Sequence, residues 1–294
     1  MEIGIGLPAT IPGVAGPDIL EWARRADAGP FSSLGIIDRL VFPNYEPLIT
    51  LAAAAGATRR IRLMTSILIA PLHNPGMLAK QAASLDALSG GRLTLGLGLG
   101  SREDDYRAAP AEYKHRGRIF EQQLEWMKRI WSGQPPFEGV GPIGPHPARN
   151  GGPEILIGGS TPAAIRRVGR WGDGYISGGS SDPARVRQMY ALAEESWRAN
   201  GRPGRPRFVG AIYCAMGEDV ADKAADYIRS YYGHAGAMAE NMARSIPTTS
   251  ESIKARISAF AEIGLDELIL WPCVPGLEQL DRFAELVGEV TASV

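Results

Sequence analysis

Short apolar runs alternate with amphipathic or capped stretches eight times along this chain, and that rhythm limits the fold more than any other feature of its 294 residues. The runs expected to be strands are 3–7, 33–38, 61–69, 92–99, 154–157, 173–177, 207–215 and 266–271. Each is apolar on both faces, as a strand buried between a core and a layer of helices must be. Helices are expected from Pro17 to about Gly29 and over 46–57, 76–88, 116–132, 182–200 and 277–290. Another begins at Thr161-Pro162, and two further helical stretches precede the last strand, with a soft loop near 244–250.

Strand and helix in this order predict a (β/α)8 TIM barrel, with long insertions after strands four and seven. An open doubly wound sheet with extra elements is the alternative. No composition shift marks a boundary, so residues 1–294 are expected to form one domain. The Pro/Gly-rich stretch 134–152 reads as a long loop over the barrel mouth.

Composition excludes several functions. A formal charge of -1 leaves no basic footprint for nucleic acid or an anionic membrane. No apolar run approaches membrane-spanning length. Cys214 and Cys273 have neither CxxC nor metal-ligand spacing, which fits a reducing compartment without a metal site. With no basic leader in front of the first strand, a soluble cytoplasmic protein is the expectation.

A βα barrel builds its active site where the strands end at their C-terminal edges. The strand count therefore selects Leu7 and Pro8, Asp38 and Arg39, Thr65 to Ile67, Gly98 to Gly100, Gly158 to Ser160, Ser177 to Ser180, Tyr213 and Cys214, and Trp271 and Pro272. Glycine and hydroxyl groups dominate these positions, a composition suited to holding a flat cofactor. No nucleophile elbow of a Ser/His/Asp hydrolase occurs, and no carboxylate or lysine base stands ready for sugar-phosphate isomerisation.

Gly158-Gly159-Ser160-Thr161-Pro162 follows strand five. Glycines allow close backbone approach, Thr161 can cap the helix, and free N–H groups there suit a phosphate; an ordinary capped junction would look the same. Gly96-Leu97-Gly98-Leu99-Gly100 is not a dinucleotide fingerprint, because Ser101 and Glu103 stand where the next glycine would be needed. Its alternate glycines either bare a strand face to a ring or relieve crowding inside the barrel.

Asp38 can accept hydrogen bonds from a ligand or pair with Arg39. Arg39 is no acid or base but can bind an anion or brace a developing negative charge. His73 follows strand three and is a site candidate. His115 precedes the fourth helix, where it can face the mouth, while His146 and His234 read as solvated.

Met64-Thr65-Ser66-Ile67-Leu68, Pro71-Leu72-His73-Asn74-Pro75, and the run from Ala79 to Arg92 (AKQAASLDALSGGR) together resemble the luciferase-like flavin-dependent oxidoreductases. So does Gly158-Gly159-Ser160-Thr161-Pro162-Ala163-Ala164, running on to Gly172-Asp173-Gly174-Tyr175-Ile176. The resemblance spans nearly the whole chain. It implies an often dimeric barrel that binds reduced FMN or the deazaflavin coenzyme F420, with a cis peptide at Ser66–Ile67 on a bulge under the ring. Asp38, Ser66, Ile67, Leu99 and Gly100 would then hold the ring, and Gly158, Gly159, Ser160 and Thr161 the phosphate. Asp38, Arg39 and His73 would be the catalytic candidates.

Two departures stand out. Arg39 occupies a position where many members carry histidine, and Ser101 one where the sugar-phosphate dehydrogenase branch carries glutamate. The resemblance thus implies a two-component monooxygenase using reduced FMN, dioxygen, a small organic substrate and a separate flavin reductase. The alternatives are deazaflavin-dependent hydride transfer and a non-catalytic flavin-binding barrel. Loops 101–115, 134–152 and 233–250 are expected to set the substrate.

Overall fold

A computed structural model of the chain describes residues 1–179 and 182–292. Ser180, one of the mouth candidates, lies outside the described residues. Eight parallel strands, β1 (Glu2–Gly6), β2 (Ser33–Ile36), β3 (Arg62–Ile69), β4 (Leu93–Gly98), β5 (Glu154–Gly158), β6 (Gly174–Gly179), β7 (Arg207–Cys214) and β8 (Glu267–Pro272), close into a barrel in sequence order. Closure is completed by β1 pairing with β8, with Ile3 opposite Leu268 and Ile5 opposite Leu270. The open doubly wound alternative is thereby excluded.

The helices are α1 (Gly16–Ala28), α2 (Pro47–Ala57), α3 (Pro75–Ser89), α4 (Glu103–Ala108), α5 (Arg116–Trp131), α6 (Pro162–Ile165), α7 (Arg167–Trp171), α8 (Pro183–Ala199), α9 (Ala221–Tyr232), α10 (Ala237–Arg244), α11 (Ser250–Glu262) and α12 (Leu277–Ala292). Local chemistry explains their ends. In α3, Asn74 Oδ1 accepts from the N–H groups of Gly76 and Met77, at 3.0 and 3.1 Å. Pro75 needs no donor at that position, and Gly90 ends the helix in the left-handed region at φ 71°. The helix expected from Thr161-Pro162 is instead two short pieces, α6 and α7, that meet at Arg166.

Period-two alternation divides the core. Val209, Ala211 and Tyr213 of β7 face inward with Met64, Leu156, Ile176, Ile269 and Trp271. Phe208, Ile212 and Cys214 face the helices. The Trp271 indole needs glycine beneath it: a Cβ on Gly6 would lie 2.0 Å from its ring, and one on Gly35 3.0 Å away.

The first residues of several strands form a charged plug at the opposite end. Glu267, fully buried, accepts from Ser33 Oγ at 2.7 Å and also from Ser32. Arg62 pairs with it at 3.1 Å, and Arg207 pairs with both it and Glu154.

The stretch 134–152 is not over the mouth. α5 runs away from the mouth, and the segment that returns from its end to the start of β5 packs along the outside of α3, with Ile143 against Gly76 in the first turn of that helix and Lys80 Nζ donating to the Gly144 carbonyl at 2.8 Å. There Ala148 N–H donates to Asp86 Oδ2 at 2.8 Å, and Arg149 and Pro153 line a cleft with Arg92, Leu93 and Thr94. No residue of this segment lines the cleft at the C-terminal edges of the strands.

Candidate active site

Where β2, β3, β4, β6, β7 and β8 end, the barrel opens into a cleft of about 170 Å³ that is continuous with solvent. Asp38, Arg39, Ser66, Ile67 and Gly100, all sequence candidates, line it. Its floor is shaped by β3. The register between β3 and β4 shifts between Thr65 and Leu68, and the Ser66–Ile67 peptide there is cis. Ile67 is thrown across the neighbouring strands, where a Cβ on Gly98 would come within 2.8 Å of it and one on Gly158 within 2.7 Å.

The alternate glycines of β4 thus make room for the bulge. A Cβ on Gly96 would sit 2.1 Å from the Thr65 carbonyl oxygen, which is backbone and cannot swing away. Gly96→Ala is expected to destabilise the fold by about 1–3 kcal/mol, as overpacked cores do. Gly178 differs, because a Cβ there meets nothing within 4 Å. Gly178→Ala is expected to leave the urea midpoint unchanged and to weaken ligand binding, since the added methyl enters the cleft. Urea denaturation beside a binding titration checks both.

Asp38 does not pair with Arg39. Its Oδ2 accepts from Ile69 N–H at 2.9 Å, and His73 Nε2 stands 3.8 Å away, beyond hydrogen-bond reach. The Asp38 side chain is 8% exposed and that of His73 25%. His73 is held from behind by Gln123, whose amide donates to the carbonyls of Ala70 and His73 at 2.8 and 3.0 Å. His73 therefore reaches the cleft only through Asp38.

Arg39 turns the other way. Its Nη1 donates to the Tyr231 carbonyl at 2.6 Å, and its guanidinium lies 4.3 Å from the Phe42 ring centre and 5.1 Å from that of Tyr231. Burial lowers its pKa, and nearby Arg102 lowers it further.

Leu99 and residues 158–161 lie outside the cleft's lining. Tyr106 donates to the Leu99 carbonyl, Gly158 sits against Ile67, and the Gly159 carbonyl accepts from Tyr175 Oη at 3.0 Å. Thr161 caps α6 through Ala164 N–H at 3.3 Å, while Ser160 is exposed beside it. His115 does not line the cleft, and its side chain is 72% exposed next to Glu112. His146 is exposed, as expected.

The sequence reading missed most of one wall. Tyr231 and Tyr232 end α9, exposed His234 follows, and all three line the cleft with Tyr213, Trp271, Arg102 and Asp105. Tyr213 and Tyr232 share a hydrogen bond of 2.6 Å between their hydroxyls. Burial raises the pKa values of Tyr213, Tyr231 and Tyr232, so they stay neutral phenols. The available signal was the run Tyr231-Tyr232-Gly233-His234, an aromatic cluster in a connection that strand counting ignores. Arg102 and Asp105 are 3.6 Å apart, and Asp105 Oδ1 accepts from Val41 N–H at 2.7 Å.

A closed parallel barrel with a bulged third strand and an aromatic-walled cleft at its C-terminal edge defines the class. The chain belongs to the luciferase-like monooxygenase family, whose model matches residues 1–279. The monooxygenase RslO1 from Streptomyces bottropensis superposes with a TM-score of 0.81 over 98% of both chains at 23% identity, a likeness of fold. An uncharacterized protein of Mycobacterium tuberculosis (strain ATCC 25618 / H37Rv) is 29% identical over 171 residues, 56% of this chain and 60% of that one. The F420-dependent glucose-6-phosphate dehydrogenase of Nocardia farcinica (strain IFM 10152) is 31% identical over 191 residues, 60% of this chain and 52% of that protein. The chain thus spans little more than half the length of these two relatives. No helix among the described residues is long and apolar enough to cross a membrane.

Proposed function

We propose that this protein is a two-component monooxygenase that receives reduced FMN from a separate reductase and acts with dioxygen on a small organic substrate. The observation that carries the reading is the cleft itself. Its floor is the Ile67 side chain and bare Gly178, flat and apolar, and its edge is polar at Asp38, Ser66 and Ser101. These residues fit a planar heteroaromatic ring whose edge needs hydrogen bonds.

Asp38, Ser66, Ile67, Leu99 and Gly100 would hold the ring, with Gly158, Gly159, Ser160 and Thr161 receiving the phosphate. The bound flavin would supply the reducing electrons. The protein's share is positional. Asp38, fixed by Ile69 N–H, orients the ring edge, with His73 3.8 Å behind it. Arg39 supplies fixed positive charge, while Trp271 and the paired phenols of Tyr213 and Tyr232 exclude water from the reacting region. A homodimer in the cytoplasm completes the proposal.

Hydride transfer with coenzyme F420 is the second reading, favoured by the sequence likeness to an F420-dependent dehydrogenase. Ser101 stands where the glutamate of that branch would be, which weighs against its sugar-phosphate chemistry. Anaerobic titration with reduced FMN and with F420, followed by an oxygen-electrode assay, separates the two. Binding of reduced FMN with substrate-dependent oxygen uptake is expected. Tight F420 binding without oxygen uptake would transfer the assignment to the second reading, and binding of neither would overturn both.

A further inference from the structure

We propose that the cleft's substrate is a flat, largely apolar molecule bearing one carboxylate or comparable oxyanion, and that Arg39 is the residue that grips the anion. The proposal rests on the same cleft as the flavin reading and adds the chemistry of the second occupant. It begins with the balance of charge around the cleft. Arg102 is committed to Asp104 and Asp105, and Asp38 to Ile69 N–H and the side of His73. Arg39 alone among these groups has no ion pair among the described residues. Its only hydrogen bond there is to the Tyr231 carbonyl, and its Nε is buried without a partner.

A partly buried guanidinium without a counter-charge is costly unless something supplies one. Here desolvation and Arg102 act against its charge more than the Asp104 and Asp105 carboxylates, neither paired with it, act in its favour, yet an arginine in a protein stays protonated. Stacking on Phe42 and Tyr231 fixes its plane without neutralising it. A rigid, uncompensated fork of donors on a cleft wall is suited to a carboxylate or similar oxyanion.

The rest of the wall describes the body attached to that anion. Tyr231, Tyr232, Tyr213 and Trp271 present aromatic surface, and the tyrosine hydroxyls are already engaged, those of Tyr213 and Tyr232 with each other and that of Tyr231 with the Asp38 carbonyl. Such a surface takes a planar apolar skeleton and rewards few polar groups along it. The tyrosines of α9 and its end bring the two features together, because Tyr231 provides both the carbonyl that holds Arg39 and a ring beside it.

Calorimetric titration of the protein with 2-naphthoate and with 2-naphthalenemethanol tests the proposal, since the two differ in the anion and share the ring system. The wild type is expected to prefer naphthoate by about tenfold or more. Arg39→Gln should reduce that preference to within about twofold, and Arg39→Lys should keep part of it, having charge without the fork. Tyr232→Leu should weaken both ligands alike. Equal affinity of the wild type for the two compounds, or an unchanged preference in Arg39→Gln with native circular dichroism, would overturn the proposal. So would naphthoate displaced competitively by FMN, which would assign the anion site to the cofactor. Failure of FMN and F420 to bind would refute the flavin reading separately, leaving the naphthoate comparison to report on Arg39.

Discussion

Glu267→Ala is expected to lower the unfolding free energy by about 3–5 kcal/mol. The carboxylate is fully buried at the start of β8 and serves four donors: Ser32, Ser33, Arg62 and Arg207. Its removal leaves two guanidinium groups facing each other across a closed strand end. Arg62 keeps Glu2 and Arg207 keeps Glu154, both nearer the surface, so the loss is not total. Glu267→Gln preserves the shape and two acceptor lone pairs and is expected to cost less than the alanine change. Urea unfolding measures both. Because this plug lies at the N-terminal ends of the strands, cofactor affinity of the still-folded variant should equal that of the wild type. A variant that unfolds at the wild-type midpoint would show that the plug carries no net stabilisation.

The same barrel logic explains which parts of the site could be read from sequence. Position along a strand is encoded twice, by the apolar run and by the turn chemistry that ends it. The sequence therefore places Asp38, Arg39, Ser66, Ile67 and Gly100 at the C-terminal edge, and the structure brings these five around one cleft. The fold was legible for the same reason, since closure needs only eight parallel strands in order. Direction was harder. The stretch 134–152 has the composition of a long loop, but only its packing along α3 decides that it stays clear of the cleft. The β4 glycines were ambiguous because the group that fills their space, Ile67, comes from the neighbouring strand through an irregularity with no local signature. Tyr231, Tyr232 and His234 were illegible as site residues because they come from the end of a helix within the β7–β8 connection. Where such a helix end lands depends on tertiary packing, not on periodicity.

Asp38→Asn is expected to reduce kcat/KM by about 10²–10³ while leaving the barrel folded. Three contacts decide the magnitude. Ile69 N–H holds Oδ2 at 2.9 Å, so the carboxylate cannot rotate away from the cleft. His73 stands too far off for a hydrogen bond, so it cannot replace the lost charge directly. Arg39 points to Tyr231, so no cation is freed to reorganise when the charge disappears. Asparagine can still accept from Ile69 through its amide oxygen, and the stability cost should therefore stay below that of Asp38→Ala, about 1–3 kcal/mol for an orphaned buried donor. The readout that separates chemistry from packing is the split between kcat and cofactor affinity. If Asp38 acts on the reacting ring through its charge, kcat falls in both variants, while flavin affinity falls clearly only in the alanine. His73→Gln supplies the control: acting through Asp38 alone, it should cost no more than about tenfold. Equal kcat in wild type and Asp38→Asn would remove Asp38 from the chemistry and leave it as the brace that holds the end of β3.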